Sequence, residues 1–253
     1  MYFPLNNPNL PQSKVTVVAV SEIASQKLIS KLNDHNIETI KIKTNPAVDI
    51  IGHHSDLNLL NYAYGKLIID NSQSDNFVNF LTKGYGLKVI SRIRSPYPYD
   101  SGLNCVVMGE KVICNLKSVS DEVIHLAEEL NYRIIPVNQG YTKCSVCLLN
   151  DKALITDDES IYRVCQKNNI DSILISKGSI NLSGFNYGFI GGCTGLIDKN
   201  KLLFNGDINY HRDCNIVIDF LKSYKIEPII IENEPLTDIG SIIPLCEVND
   251  TFL

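Results

Sequence analysis

With 253 residues, 44% of them hydrophobic and 20% charged, the chain is long enough for one large domain or two small ones and has an ordinary globular balance. A net charge of -5 gives no reason to expect a nucleic-acid partner, and no apolar run is long enough to cross a bilayer. The opening MYFPLNNPNLPQ lacks the basic-then-apolar order of an export signal, so the eight cysteines read as reduced thiols of a cytoplasmic protein.

In chain order, the first elements are a strand, KVTVVAV (14–20), and an amphipathic helix over 22–34 with Ile23, Leu28 and Leu32 on one face. A second strand, ETIKIK (38–43), follows. From there one unit recurs: strand, turn, strand, helix, strand. Its first strands are DLNLL (56–60), NCVVM (104–108), SVCLL (145–149) and CTGLI (193–197). Its second strands are KLIID (66–70), KVICN (111–115), KALIT (152–156) and KLLFN (201–205), reached through short polar turns such as Gly109-Glu110 and Asn150-Asp151. Ser74 or Asp75, Ser120, Asp158 and Asp213 open the helices, which end near Gly86, Asn131, Asn169 and Lys225. The third strands are LKVISRI, YRIIPV, SILIS and EPIII.

The chain finishes on TDIGSIIPL (237–245), a first strand with no helix after it, while its beginning is a unit without a first strand. Joining the two ends completes a fifth unit, which favours a ring over an open stack. The expected fold is therefore α/β, a five-bladed pseudosymmetric propeller in a single domain over 1–253. Its units lie near 49–94, 99–137, 139–177 and 185–232, the fifth being 237–253 plus 14–43. The stretch Arg94–Gly102, with Pro96 and Pro98, reads as a longer connection.

Across the units Asp56, Asn104, Ser145, Cys193 and Ser241 share one register, at steps of 48, 41, 48 and 48 residues. Strand alternation puts Leu57, Cys105, Cys144, Val146, Thr194 and Ile242 on a helix-packed face. It puts His54, Asp56, Asn58, Asn104, Lys143, Ser145, Cys147, Cys193 and Ser241 on a central channel. Converging polar groups of this kind suit a small molecule, although the same ring could simply hold ordered water. Within it Cys193 is the expected nucleophile, His54 the base and Asp56 a polarising acid, with Gly191 and Gly192 permitting close backbone approach.

Other candidates read more plainly. His53-His54 with Asp56 has the look of metal ligation, but a strand points the two imidazoles to opposite faces and zinc needs three convergent ligands. Neither a metal nor a cofactor is expected. Cys144-Ser-Val-Cys147 has redox spacing, yet lies in a strand and reads as packing. Asp157-Asp158 and Asp207 read as helix caps, His125 and His211 as surface or capping residues, and His35 carries no role.

The five-unit closure, with GGCTGLID (191–198) and DIGSIIPL (238–245), resembles the pentein fold of the guanidino-group modifying enzymes and of translation initiation factor 6. The resemblance runs from Lys14 to about Leu245 and is to a bacterial branch lacking the enzymes' usual Cys/His positions. Ser241 stands where the enzymes carry their cysteine nucleophile, and Cys246 lies five residues beyond. Gly191-Gly192-Cys193 stands where they carry their histidine, while Asp238 matches the region of their substrate-binding groups. The resemblance implies a small amidine-, guanidine- or amino-acid-like ligand, held by Asp56, Asn104, Lys143, Ser145, Asp238 and Ser241. Two alternatives stand beside it: a cysteine-dependent hydrolase or amidinotransferase-like enzyme using Cys193 and His54, and a non-catalytic module binding a macromolecule. No membrane partner is expected, the hairpin edges are compatible with a homodimer, and the choice of reactive thiol between Cys193 and Cys144 stays open.

Overall fold

A computed structural model describes residues 2–93 and 100–249. The chain opens with β1 (Phe3–Pro4), β2 (Val15–Ser21), α1 (Gln26–Asp34) and β3 (Glu38–Ile42). A short α2 (Ser55–Asn58) then leads into β4 (Leu59–Ala63), β5 (Lys66–Asp70), α3 (Asp75–Tyr85) and β6 (Lys88–Ile93). The next unit is β7 (Val106–Met108), β8 (Lys111–Cys114), α4 (Asp121–Glu129) and β9 (Arg133–Pro136). It is followed by β10 (Val146–Leu148), β11 (Ala153–Thr156), α5 (Glu159–Lys167) and β12 (Asp171–Leu174). The last elements are β13 (Thr194–Asp198), β14 (Lys201–Phe204), α6 (Cys214–Ser223), β15 (Glu227–Ile229) and β16 (Ile243–Glu247).

These strands form five small sheets with one pattern: the first strand runs antiparallel to the second, and the second parallel to the third across a helix. The fifth sheet is assembled from both ends of the chain. β16 lies between β1 and β2, pairing Phe3 with Glu247 and Ile243 with Ala19, and β2 runs parallel to β3. The Glu247 carboxylate reinforces this seam, accepting from the Gln12 N–H at 2.6 Å and the Ser13 N–H at 3.0 Å. The expected pairing of the two ends is therefore present. Where Arg94–Gly102 was expected to connect units, residues 94–99 lie outside the described residues.

Local chemistry accounts for the repetition. Ser25, Ser74, Ser120 and Asp158 each cap a helix by accepting from the N–H three residues on, which satisfies a donor that the helix start leaves free. Asp213 departs from this pattern, because its carboxylate accepts instead from the Ser176 N–H at 2.5 Å and α6 has no side-chain cap. At the other end, Asn36, Gly86, Asn131, Asn169 and Lys225 all take left-handed φ between 53° and 68°, so each helix stops and the chain turns into its third strand. α1, α3, α4, α5 and α6 each bury two residues against their sheets, such as Leu28 and Leu32 or Val217 and Leu221. No described helix is long and apolar enough to cross a membrane.

The first strands begin later than their apolar runs suggest. Asp56 lies in α2, Ser145 in the turn over 141–145, Cys193 in a 3-10 turn over Gly191–Cys193, and Ser241 at a left-handed φ of 72°. The recurring polar residue thus belongs to the bend that delivers each first strand, and strand alternation does not govern where its neighbours point.

Because both chain ends meet on β16, its fully buried Leu245 joins β2 and β4 in one core. Leu245→Ala is expected to cost roughly 2–5 kcal/mol in chemical denaturation. A loss below about 1 kcal/mol would show that the seam contributes little to folding.

Candidate functional site

The bends gather a closed polar cluster from four separate segments. His54 precedes α2 and Asp56 sits in its first turn; Lys143 and Cys144 come from the turn before β10; Asp238, Gly240 and Ser241 come from the approach to β16; Asn104 precedes β7. His54, Asp56, Asn104, Cys144, Asp238 and Ser241 are each 2% exposed or less. The backbone draws these segments together directly, since the Asp56 N–H donates to the Gly240 carbonyl at 3.0 Å. Gly240 has a φ of 77°, and a Cβ there would stand 2.4 Å from that of His54.

Asp56 is the hub. Its Oδ2 accepts from the Ser241 hydroxyl at 2.6 Å, and the Cys144 sulfur donates towards its two oxygens from 3.2 and 3.1 Å. Ser241 Oγ also lies 2.9 Å from the Gly191 carbonyl; one hydroxyl proton serves one of these acceptors at a time, while the Lys143 ammonium donates to Oγ at 3.1 Å. Asn104 donates to Cys144 Sγ at 3.3 Å and accepts from the Lys143 N–H at 2.7 Å, fixing the turn that carries both side chains. His54 Nδ1 lies 4.0 Å from Cys144 Sγ and 3.8 Å from Asp238 Oδ1, and Nε2 has no partner among the described residues. Asp238 is anchored by the Phe189 N–H at 2.9 Å on one oxygen and the Gly240 N–H at 3.0 Å on the other.

Burial dominates the electrostatics. It pushes the Cys144 thiol well above its ordinary value, and the Asp56 charge adds to the effect. Burial lowers the His54 imidazole, against the pull of Asp56, so the ring favours its neutral form. Burial and then Asp56 raise Asp238 to about 7, despite its two backbone donors. Beside the cluster lies a cavity of about 190 Å³ lined by His53, Asn205, Thr237 and Asp238, among others.

The expected site residues fall into two groups. His54, Asp56, Asn104, Lys143, Asp238 and Ser241 converge. Ser145 is fully buried and its hydroxyl has no partner among the described residues, and Cys193 donates to the Ile190 carbonyl at 3.3 Å within an apolar core that includes Cys147. The thiol that meets His54 is Cys144, which alternation assigned to the helix side; the bend over 141–145 turns it inwards. The polar run Tyr141–Ser145 before Val146 is the signal that marks this bend. Asp157 also departs from its expected capping role. It is buried, accepts from the Ile190 N–H at 3.1 Å, has no partner for Oδ1 among the described residues, and burial raises it to about 7.

A carboxylate whose folded pKa lies near 7 against an ordinary 3.8 keeps its proton longer in the folded chain. Its contribution to stability is therefore full at low pH and declines as pH climbs from about 4 to about 7. Asp238→Asn removes that titration, whatever fixed cost its amide brings. Its stability relative to the parent is expected to rise by more than about 1 kcal/mol across this window, measured by urea denaturation at both ends. A difference that stays constant with pH would contradict an ionisable Asp238 held in the core.

Several solved structures share this architecture. The inosamine-phosphate amidinotransferase StrB1 of Streptomyces griseus aligns over 98% of this chain and 97% of its own, with a TM-score of 0.57 and 11% identity. The amidinotransferase SxtG of Microseira wollei aligns over 90% and 91%, at 0.57 and 10% identity. The agmatine deiminase of C. jejuni aligns over 93% and 94%, at 0.54 and 12% identity. At such identities the likeness establishes the fold alone, the pentein fold. No curated protein matches the chain in sequence. The family model that does match spans residues 19–243, and the chain belongs to that family of unknown function, DUF6873.

Proposed function

We propose that this protein binds a small cationic ligand of amidine, guanidine or amino-acid-like type at the His54–Asp56–Asp238 centre. The observation that carries this reading is the pair of buried carboxylates. Among the described residues, Asp56 and Asp238 outnumber the one nearby ammonium, Lys143, and their mutual repulsion contributes to raising Asp238. A planar cation with several N–H donors would relieve that repulsion and bond to both carboxylates. The cavity bordered by His53 and Asp238 is the approach to the centre, and its 190 Å³ suits a small molecule rather than a polymer. In this reading the five sheets are blades of a single-domain, five-bladed pseudosymmetric propeller around that centre, and the eight free thiols fit a cytoplasmic setting.

Calorimetric titration of the full chain with agmatine, arginine and acetamidine tests this. Saturable binding is expected for at least one of them, with neutral citrulline at least tenfold weaker, a difference of about 1.4 kcal/mol. Asp56→Asn is expected to weaken the cation by a similar factor. Binding of citrulline equal to that of every cation would remove the proposal.

One contact favours catalysis as a second reading. Cys144 Sγ stands 4.0 Å from His54 Nδ1, so a neutral His54 can take the thiol proton as sulfur attacks an amidine carbon and return it to a nitrogen of that carbon, which leaves as ammonia while the carbon–sulfur bond remains. Cys193, the thiol expected from sequence, is engaged with the Ile190 carbonyl. Mass spectrometry of the protein quenched with acetamidine or agmatine tests this reading and identifies the sulfur. An adduct on Cys144, with ammonia release lost in Cys144→Ser and kept in Cys193→Ser, supports this assignment. Transfer of both effects to Cys193 would support the pairing expected from sequence, and no adduct with either thiol intact would leave binding alone.

A further inference from the structure

We infer that His54, Asp56 and Cys144 form a binding site for a thiophilic divalent metal ion, with zinc the best match. The three side chains offer one nitrogen, one oxygen and one sulfur donor, all buried, with the donor atoms within 4.8 Å of one another. The spacing is close to what zinc requires. Bonds of about 2.1 Å to nitrogen or oxygen and about 2.3 Å to sulfur, arranged tetrahedrally, set ligand atoms roughly 3.4–3.6 Å apart. The sulfur lies 3.1 and 3.2 Å from the Asp56 oxygens and 4.0 Å from His54 Nδ1, which brackets that range.

The donor set also selects the kind of metal. A thiolate with an imidazole favours zinc over magnesium or calcium, which take oxygen ligands. Three protein ligands leave a fourth position for water or a small ligand, as in catalytic rather than structural zinc sites. Surrounding groups already brace the ligands: Asn104 donates to Cys144 Sγ at 3.3 Å, and Ser241 donates to Asp56 Oδ2 at 2.6 Å while receiving the Lys143 ammonium. Sequence alone argued against a metal because it offered only the His53-His54-Asp56 strand. The fold supplies the third donor from the turn before β10, 88 residues from Asp56.

Binding is balanced in charge. The metal displaces the Cys144 thiol proton to solvent, and the dication is then neutralised by the thiolate and the Asp56 carboxylate. This inference does not rest on the organic-ligand reading, because its three donors are all side chains of the chain itself. The two readings meet at Asp56, so zinc and the cationic ligand should exclude one another.

Cobalt(II) titration of the chelator-treated, reduced full-length protein tests the site. The expected result is saturation at one metal per chain, a near-ultraviolet thiolate-to-cobalt charge-transfer band, release of one proton, and displacement by zinc. Cys144→Ser should abolish the band, and His54→Ala and Asp56→Asn should each weaken binding by roughly tenfold or more. Cys193→Ser should leave band and stoichiometry unchanged. A band retained in Cys144→Ser, or lost in Cys193→Ser, would overturn the assignment. So would the absence of saturable binding in the unmodified protein, which is decisive even if a variant fails to fold.

Discussion

A buried carboxylate that must be satisfied by partners from elsewhere in the chain is the constraint around which this molecule is organised. Asp56 is 2% exposed, so bulk solvent scarcely reaches its carboxylate. Its carboxylate bonds are made by Cys144, 88 residues on, and by Ser241, 185 residues on; its own N–H is taken by the Gly240 carbonyl. Those partners exist only when the segments before β4, β10 and β16 have reached their places. The central cluster therefore rewards complete assembly and penalises partial assembly, because one missing segment leaves a charge or its partners unpaired.

Close backbone approach makes this arrangement possible. At Gly192 a Cβ would stand 2.0 Å from an oxygen of Asp238, and at Gly240 2.4 Å from the Cβ of His54. Each bend carries a short residue at the shared register, yet the residues do different work. Asp56 carries charge, Asn104 orients the Lys143–Cys144 turn, Ser241 bridges the Lys143 ammonium and Asp56, and Cys193 packs into the neighbouring apolar core. A repeated backbone thus supports an unrepeated centre, and the chemistry follows from how the units differ. The same differences separate this chain from a ready inference of guanidine chemistry. A shared fold gives the position of the centre, while the side chains there decide what it binds.

Much of the fold was legible because it is local. Ser74, Ser120 and Asp158 cap helices where their spacing to apolar residues placed them, whereas the first helix starts at Gln26, after the exposed Ile23, and not at residue 22; Gly86, Asn131, Asn169 and Lys225 end helices in the left-handed conformation. The pairing of the chain's two ends followed from counting incomplete units. The centre was only half legible. Asp56, Asn104, Lys143, Asp238 and Ser241 were identifiable as polar residues before apolar runs, whereas the inward turn of Cys144 was not. Alternation assumes an extended backbone, and residues 141–145 bend, so a one-residue phase error moved the thiol to the wrong face. Asp213 and Asp157 illustrate the same limit, because both look like caps in sequence but are claimed by distant backbone N–H groups, those of Ser176 and Ile190.

The central claim is that the closed centre, with two carboxylates and one ammonium, is a cation site rather than a water-filled or inert core. A crystal structure of the protein grown with guanidinium tests it most directly. The expected result is a planar cation between the Asp56 and Asp238 carboxylates, next to His54 and Cys144. Guanidinium found only on the outer surface, with ordered water or closed side-chain packing at the centre, would contradict it.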